Sequence, residues 1–268
     1  MQSRLTLKQI HDYLHTLQIP PNETPDLTTL NALVYAHQTS IPFSSVDVYH
    51  CQSAPSLEID DVFNKVVTKK RGGYCFEMNL IFKELLLALG YDSYPIFCRI
   101  NRPNCGRLSI THQGTLTTID GMRYYTDIGF GGPVAAGALA LDNKVEQTIQ
   151  DETYRMCVID ESWWALERLG SQLTEKPTTA GDDTWIKVLE LCTAKVENQD
   201  FLPLSAFCSQ PGARFYETTI LNLRTASGNY AMDDFTLTIR ESGNKRVIDL
   251  SDEAAQSDAI EQYFGFKR

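Results

Sequence analysis

The dipeptide Asp120-Gly121 separates two strand-like runs, "LSITHQGTLTTI" at 108–119 and "MRYYTDIGF" at 122–130. Asp-Gly in that setting signals a two-residue hairpin turn. Such a turn pairs Ile119 with Met122 and fixes the register beyond them. Continued along the strands, the register sets His112 opposite Gly129 and puts Asp127 on the same face as His112. The two are then diagonal neighbours, roughly 7–8 Å apart at the backbone. A slip of one residue would turn Asp127 to the opposite face. Ile110, Leu116 and Thr118 share the face of His112, so the histidine points among apolar neighbours. Both a structural and a catalytic His–Asp pair fit this geometry.

The rest of the chain changes texture near residue 94. Before it, apolar residues recur at helical spacing. Leu7, Ile10, Tyr13, Leu14 and Leu17 form one stripe, ended by Pro20-Pro21. Asp26 is an N-cap for a second helix carrying Leu27, Leu30, Leu33 and Val34. His37 closes that helix, where a cation suits the dipole, and "IPF" at 41–43 breaks it. A third helix starts at Tyr74 or Cys75 and runs through "LIFKELLLALG", with Gly90 just past its end. After residue 94, "YPIFCRI" and "TYRMCVI" join the two runs above as short strands of an antiparallel sheet, open or closed into a barrel. Residues 182–198 read equally as strand or short helix. Further strand-like runs, "RFYETTILNLRT", "DFTLTIR" and "RVIDL", precede a closing helix at "DEAAQSDAIEQYFG".

The formal net charge of −10 argues against nucleic acid and anionic membrane as main partners. The seven cysteines are odd in number, irregular in spacing and without a C-x-x-C pair. This pattern fits a reducing compartment and gives no zinc signature, so no metal is expected. With no signal-like leader and no run of 18 apolar residues, the chain is expected to be soluble and cytoplasmic, and the sequon at Asn22 a chance match.

One cysteine stands in unusual company, in "RGGYCFEMN" at 71–79. Gly72-Gly73 permit a tight turn and close approach to the backbone. A helix beginning at Tyr74 or Cys75 puts the thiol in its first turn, where unpaired N–H groups and the dipole favour a thiolate or receive an oxyanion. Cysteine is also a common buried, inert hydrophobe. A working thiolate needs a histidine and an orienting acid. Of the five histidines, His11 and His15 lie on the first amphipathic helix and His50 in an apparent loop; His112 alone has an acid brought to it by local turn chemistry.

These residues together resemble the arylamine N-acetyltransferases. "RGGYCFEMN" is similar to the R-G-G-x-C-x-E-x-N signature of that family, "ITHQ" to its histidine segment, and "YTDIGFGG" to its D-x-G-F-G segment. "HQTSIPF" and "DFLPLSAFCSQP" extend the likeness over nearly the whole chain. The resemblance implies an α+β fold with a cysteine-proteinase-like or transglutaminase-like core: a helical bundle over 1–93, an antiparallel β-barrel over 94–198 and an α/β lid over 199–268. It implies Cys75 as nucleophile, His112 as base and Asp127 as orienter. Phe43, Tyr74, Gly129, Phe130 and Gly131 would contact substrate, with Arg71, Gly72, Gly73 and Glu77 as structural support. It further implies acetyl-CoA as co-substrate, an arylamine or arylhydrazine acceptor, and ping-pong acetyl transfer through a cysteine thioester in xenobiotic metabolism. Two other readings share the chemistry: an amide synthase closing macrolactams, and a transglutaminase-like cysteine hydrolase.

The chain departs from the family pattern where "PFEN" is expected, since it has "PFSS". Ser44 replaces the glutamate expected to neutralise Arg71. Glu77 is the expected substitute partner, with Asp47 the other candidate. Ser205 stands where the family usually has asparagine.

Overall fold

The computed structural model describes residues 3–21, 24–102, 105–170 and 184–268; Asn22 of the sequon lies outside them. The N-terminal third is helical, and its helices begin where side chains satisfy the exposed N–H groups. Helix α1 (Leu7–Leu17) opens with a capping box between Thr6 and Gln9. The Asp26 carboxylate accepts the Thr29 N–H at 2.8 Å and starts α2 (Leu27–Ser40). Leu7 does not join the expected stripe and is exposed, whereas Tyr13, Leu14 and Leu17 are buried. His37 is no solvated terminal cation. It is wholly buried, edge-to-face against Tyr13 and Phe82, and burial pulls it down to about 3.

The chain then makes a two-residue strand, β1 (Phe43–Ser44), and a short helix, α3 (Val46–Cys51). Next come α4 (Ile59–Val62) and a π-helical turn over Phe63–Thr68. Their buried Ile59, Val62, Phe63, Val66 and Val67 follow helical spacing. Helix α5 (Cys75–Ala88) starts where expected, with Tyr74 as N-cap, and Gly90 follows it at φ 94°. Twelve of its fourteen residues are buried, so it is the central rod of this layer.

Eight antiparallel strands follow: β2 (Asp92–Ile100), β3 (His112–Ile119), β4 (Met122–Thr126), β5 (Leu139–Ala140), β6 (Glu146–Ile149), β7 (Glu152–Val158), β8 (Trp163–Leu169) and β9 (Trp185–Cys192). Their order is β5-β4-β3-β2-β9-β8-β7-β6. The outer strands are brought together by Gln147, whose amide bonds the backbone N–H and carbonyl of Ala140 at 2.7 and 2.9 Å. The result is a nearly closed barrel around Ile96, Leu116, Tyr125, Tyr154, Met156 and Leu189. The ambiguous stretch after residue 182 is strand within its described part. Asp120 and Gly121 take φ 49° and 81°, and Ile119 pairs with Met122 as the turn requires. The ladder ends at Thr115 and Thr126, so His112 has no paired residue on β4 and residues 108–111 lie outside the strand.

The last part contains α6 (Leu202–Cys208), α7 (Arg214–Glu217), β10 (Ile220–Thr225), β11 (Gly228–Asp233), β12 (Thr236–Glu241), β13 (Asn244–Asp249) and α8 (Glu253–Phe264). The run from Arg214 is therefore a helical turn before it becomes strand. The four strands form a second antiparallel sheet, on which α8 packs through Ala259, Ile260 and Phe264. Its outermost strand at one edge is β1, which pairs with β10.

Candidate active site

The first turn of α5 is set by Gly72. Its φ is 67°, and a Cβ there would lie 1.9 Å from the Pro42 carbonyl oxygen. A side chain would thus be both strained and excluded. Gly73 and Phe43 bridge, and the Ser44 N–H donates to the Gly73 carbonyl at 2.9 Å. Glu77 reaches back to the Tyr74 N–H at 3.2 Å. The loop that leads into α5 is thereby fixed on both sides of Cys75.

Cys75 Sγ lies 3.9 Å from the carbonyl oxygen of Thr111, the residue before His112. The backbone of Gln113, the residue after it, also hydrogen-bonds the sulfur. The thiol therefore lies against the segment that carries the imidazole. Burial pushes the Cys75 thiol well above its ordinary range, Cys208 adds to this, and the backbone bonds of Gln113 and Phe76 oppose it. The helix start by itself does not make a thiolate here; a base must take the proton.

His112 Nε2 and Asp127 Oδ2 are 2.6 Å apart, and both residues are buried. The hairpin brings them together as the register anticipates, although β4 has ended. What holds Asp127 is a set of four donors. Tyr125 donates its hydroxyl to Oδ2 at 2.9 Å, alongside His112. Asn79 Nδ2 and the Gly129 N–H donate to Oδ1 at 3.0 and 2.9 Å. Burial favours the protonated acid, but His112, Asn79 and Gly129 outweigh it and hold the carboxyl below its usual range. Tyr125, pushed up by burial and by Asp127, stays a donor.

Asn79 and Tyr125 escaped the sequence reading, though both were in view. Asn79 lies one helical turn beyond Cys75, on the same face. Its amide also donates to the Gln113 carbonyl at 2.6 Å and accepts the Ile128 N–H at 3.1 Å. One side chain thus links the cysteine helix to the segments of both His112 and Asp127. Tyr125 is two residues before Asp127. Gln38, on α2, adds a bond from its amide to the Asp127 carbonyl at 2.9 Å.

The other anticipated residues divide. Gly129 rests on α5, where a Cβ would come within 2.9 Å of Cys75 Cα. Gly131 lies against the Phe43 ring. Phe130 meets His112 edge-on, with ring centroids 5.7 Å apart. Phe43, Phe130 and Gly131 line a cleft of about 630 Å³, which continues to Arg214, Arg224, Arg240 and Lys245. Cys75 and His112 are not on its wall; Phe130 is the contact between cleft and imidazole. Tyr74 stands apart from the cleft: its side chain is fully buried between Phe76 and Phe215, and its hydroxyl bonds Ser205.

Arg71 is a correction. Its partner is Asp47, at 2.6 Å, and not Glu77. Arg71 also donates to the Lys267 carbonyl and covers the Phe266 ring at 5.2 Å. Glu77 instead takes Lys65, at 2.8 Å, and Lys65 also reaches Asp47 at 3.1 Å. Asp47 sits in the first turn of α3, three residues beyond Ser44, and supplies the carboxylate that "PFSS" lacks.

The model of the N-acetyltransferase family matches residues 26–267. The chain belongs to the arylamine N-acetyltransferase family. It is 27% identical to arylamine N-acetyltransferase of Mycolicibacterium smegmatis, over 94% of this chain and 90% of that protein. A solved structure of the M. smegmatis enzyme superposes with a TM-score of 0.85, covering 96% of this chain and 92% of that one at 26% identity. The Mycobacterium marinum enzyme in complex with CoA gives 0.84 at 25% identity, over 96% and 92%. Proansamycin X synthase of Amycolatopsis mediterranei is 32% identical over 60% of this chain and 63% of its own. As a member of the family the chain is an acetyltransferase. No helix among the described residues is long and apolar enough to cross a membrane, and no group of acidic, histidine or cysteine side chains among them is arranged to hold a metal.

Proposed function

We propose that the protein transfers acetyl from acetyl-CoA to arylamines and arylhydrazines by a ping-pong route through a thioester on Cys75. The reading is carried by the Asp127–His112 pair set against the segment that cradles the Cys75 sulfur. Asp127 occupies Nε2, so proton exchange with the thiol runs through Nδ1. His112 takes the thiol proton, and the thiolate attacks the acetyl carbonyl. The backbone at 74–76 receives the oxyanion. CoA leaves as the thiol, with the proton from the imidazolium. In the second half-reaction the amine attacks the thioester, His112 accepts its proton, and Cys75 is released. Asp127 keeps the tautomer and balances the imidazolium throughout. No step calls for a metal.

The cleft beside Phe130 suits the donor. Its wall carries five cations, Arg168, Arg214, Arg224, Arg240 and Lys245, against three carboxylates, Glu152, Asp233 and Glu241, in a chain of net charge −10, and CoA is a polyanion. Phe43 and Phe130 offer aromatic faces to an aryl acceptor. We place this reaction in the cytoplasm, in the handling of foreign amines. The likeness to proansamycin X synthase supports a second reading, intramolecular amide closure of a carrier-bound chain, with the same acyl-enzyme.

Intact mass of the protein mixed with acetyl-CoA and no acceptor tests the proposal. One added acetyl group on Cys75, discharged by an arylamine, is the expected result. Acetyl on another cysteine, or none, rejects the assignment. An acyl-enzyme that ignores arylamines favours the amide synthase, and one lost only to water favours a hydrolase.

A further inference from the structure

Cys208 is the last residue of α6 and belongs to the same buried cluster as Cys75, with Phe43, Tyr74, Phe76, Phe201 and Ile220. Its sulfur lies 3.9 Å from the Thr111 carbonyl oxygen, the same acceptor and the same distance as for Cys75. Two thiols on one carbonyl are neighbours within a largely aromatic cluster. None of the seven cysteines is joined in a disulfide. The acetyl-transfer scheme gives Cys208 no part, and no bond of its sulfur other than that to Thr111 is seen among the described residues.

We infer that Cys208 is a resolving thiol for Cys75: a hydroperoxide oxidises Cys75, and Cys208 closes on it to form a reversible disulfide. The inference rests on the reading of Cys75 as the activated thiolate. The first step consumes one hydroperoxide. The Cys75 thiolate attacks the distal peroxide oxygen, an S–O bond forms, the O–O bond breaks, and the imidazolium proton of His112 leaves with the alcohol or water. Cys75 is then a sulfenic acid, oxidised by two electrons. In the second step Cys208 sulfur attacks Cys75 sulfur, the S–O bond breaks, the Cys208 thiol proton passes to the departing hydroxide, and water is released. A small-molecule dithiol restores both thiols.

The order of events follows from the proposed chemistry, in which His112 takes the proton of Cys75 and so makes it the thiol that oxidises first. Burial pushes the Cys208 thiol up to about 11, so it waits as a thiol. Its place at the end of α6 lets the last turn move to disulfide distance without disturbing a helix interior. Ser209, Pro211 and Gly212, the last at φ 83°, end the helix directly after it. Cys98 is the competing thiol. It pairs with His112 on β2, but its sulfur is held by Tyr125 in the barrel interior and shares no acceptor with Cys75. A resolving thiol protects the nucleophile from the irreversible sulfinic and sulfonic states.

The test is titration of the full chain with hydrogen peroxide, without acetyl-CoA, followed by intact mass and non-reducing peptide mapping. The expected product has lost two hydrogens and yields a peptide joining Cys75 to Cys208. Activity, normalised to each protein's own starting value, returns with dithiothreitol. In Cys208→Ser the mass rises by whole oxygens, and the recoverable fraction falls by about tenfold or more as oxidation passes sulfenic acid. Equal recovery in wild type and Cys208→Ser, or a link from Cys75 to Cys98, overturns the inference. The mass readout does not depend on turnover, so it is separable from failure of the acetyl-enzyme test.

Discussion

Asp127 shows how a buried charge is kept. Four donors, two on each oxygen, supply what water would, and a carboxylate is the only side chain of that size that accepts from all of them. Asparagine has one acceptor oxygen, so Asp127→Asn turns an NH₂ toward donors and loses the balance for imidazolium. We expect single-turnover acetylation to fall by on the order of 10³-fold or more. Stability should drop by about 1–3 kcal/mol. Stopped-flow acetylation well below the melting temperature separates the two; near-normal acetylation would mean the pair is only structural. The meeting of His112 with Asp127 and the helix start at Cys75 were legible because turn chemistry and capping act locally. The partner of Arg71 was not. Glu77 is close in sequence, but Lys65 comes from the π-helical turn and claims it, leaving Asp47 for the arginine. Competition among charges depends on which segments pack together, and spacing carries no trace of it.

Among elements, the β3–β4 hairpin does the most for the site from outside it. Gly121 sits at φ 81°, and nothing lies within 4 Å of where its Cβ would be. The requirement there is purely one of backbone conformation. Gly121→Val should cost about 1–2 kcal/mol, read as a shift in the urea midpoint with unchanged slope. Acetylation per folded molecule should remain, because the register is also held by Thr115–Thr126 through Ile119–Met122. Loss of acetylation in a folded variant would mean that the turn alone sets the His112–Asp127 geometry. Helices and strands with a clean period were readable. The stripe at Ile59, Val62, Phe63, Val66 and Val67 was equally regular, but its helix changes type midway. The short helix at Arg214 was masked by the β-branched run that follows it. The limit of β3 at His112 was invisible, since the run of strand formers continues upstream while the ladder does not.

For the molecule as a whole, His37 is the acid-sensitive point. It is wedged between Tyr13 of α1 and Phe82 of α5, so it ties three helices together while neutral. Unfolded, it protonates near 6.5; folded, only near about 3. The unfolded chain therefore binds the extra proton between those values. Stability is fully present above pH 6.5 and falls with acid toward pH 3, by roughly 1.4 kcal/mol per unit at most. Urea titrations between pH 7 and 4.5 should show this slope, and His37→Leu should flatten it. An unchanged slope in that variant would assign the acid limb to other groups, such as the carboxylates of Asp47 and Asp127, which titrate lower.

The strand Phe43–Ser44 has a consequence for the order of events during synthesis. Ser44 is bonded on one side to Gly73, next to the cysteine helix, and on the other it pairs with Leu221. Ser45 likewise receives the Ile220 N–H. A nascent chain emerging from the ribosome has Cys75, His112 and Asp127 free of the tunnel long before residue 220 follows. Until then the loop before Cys75 lacks its outer clasp, and the pairing that supplies it spans most of the polypeptide. Such contacts form late, because a long loop must close before they repay its entropy. Translation that stalls short of β10 leaves Cys75, His112 and Asp127 with no finished frame around them, so the enzyme comes into being only with the last quarter of its chain.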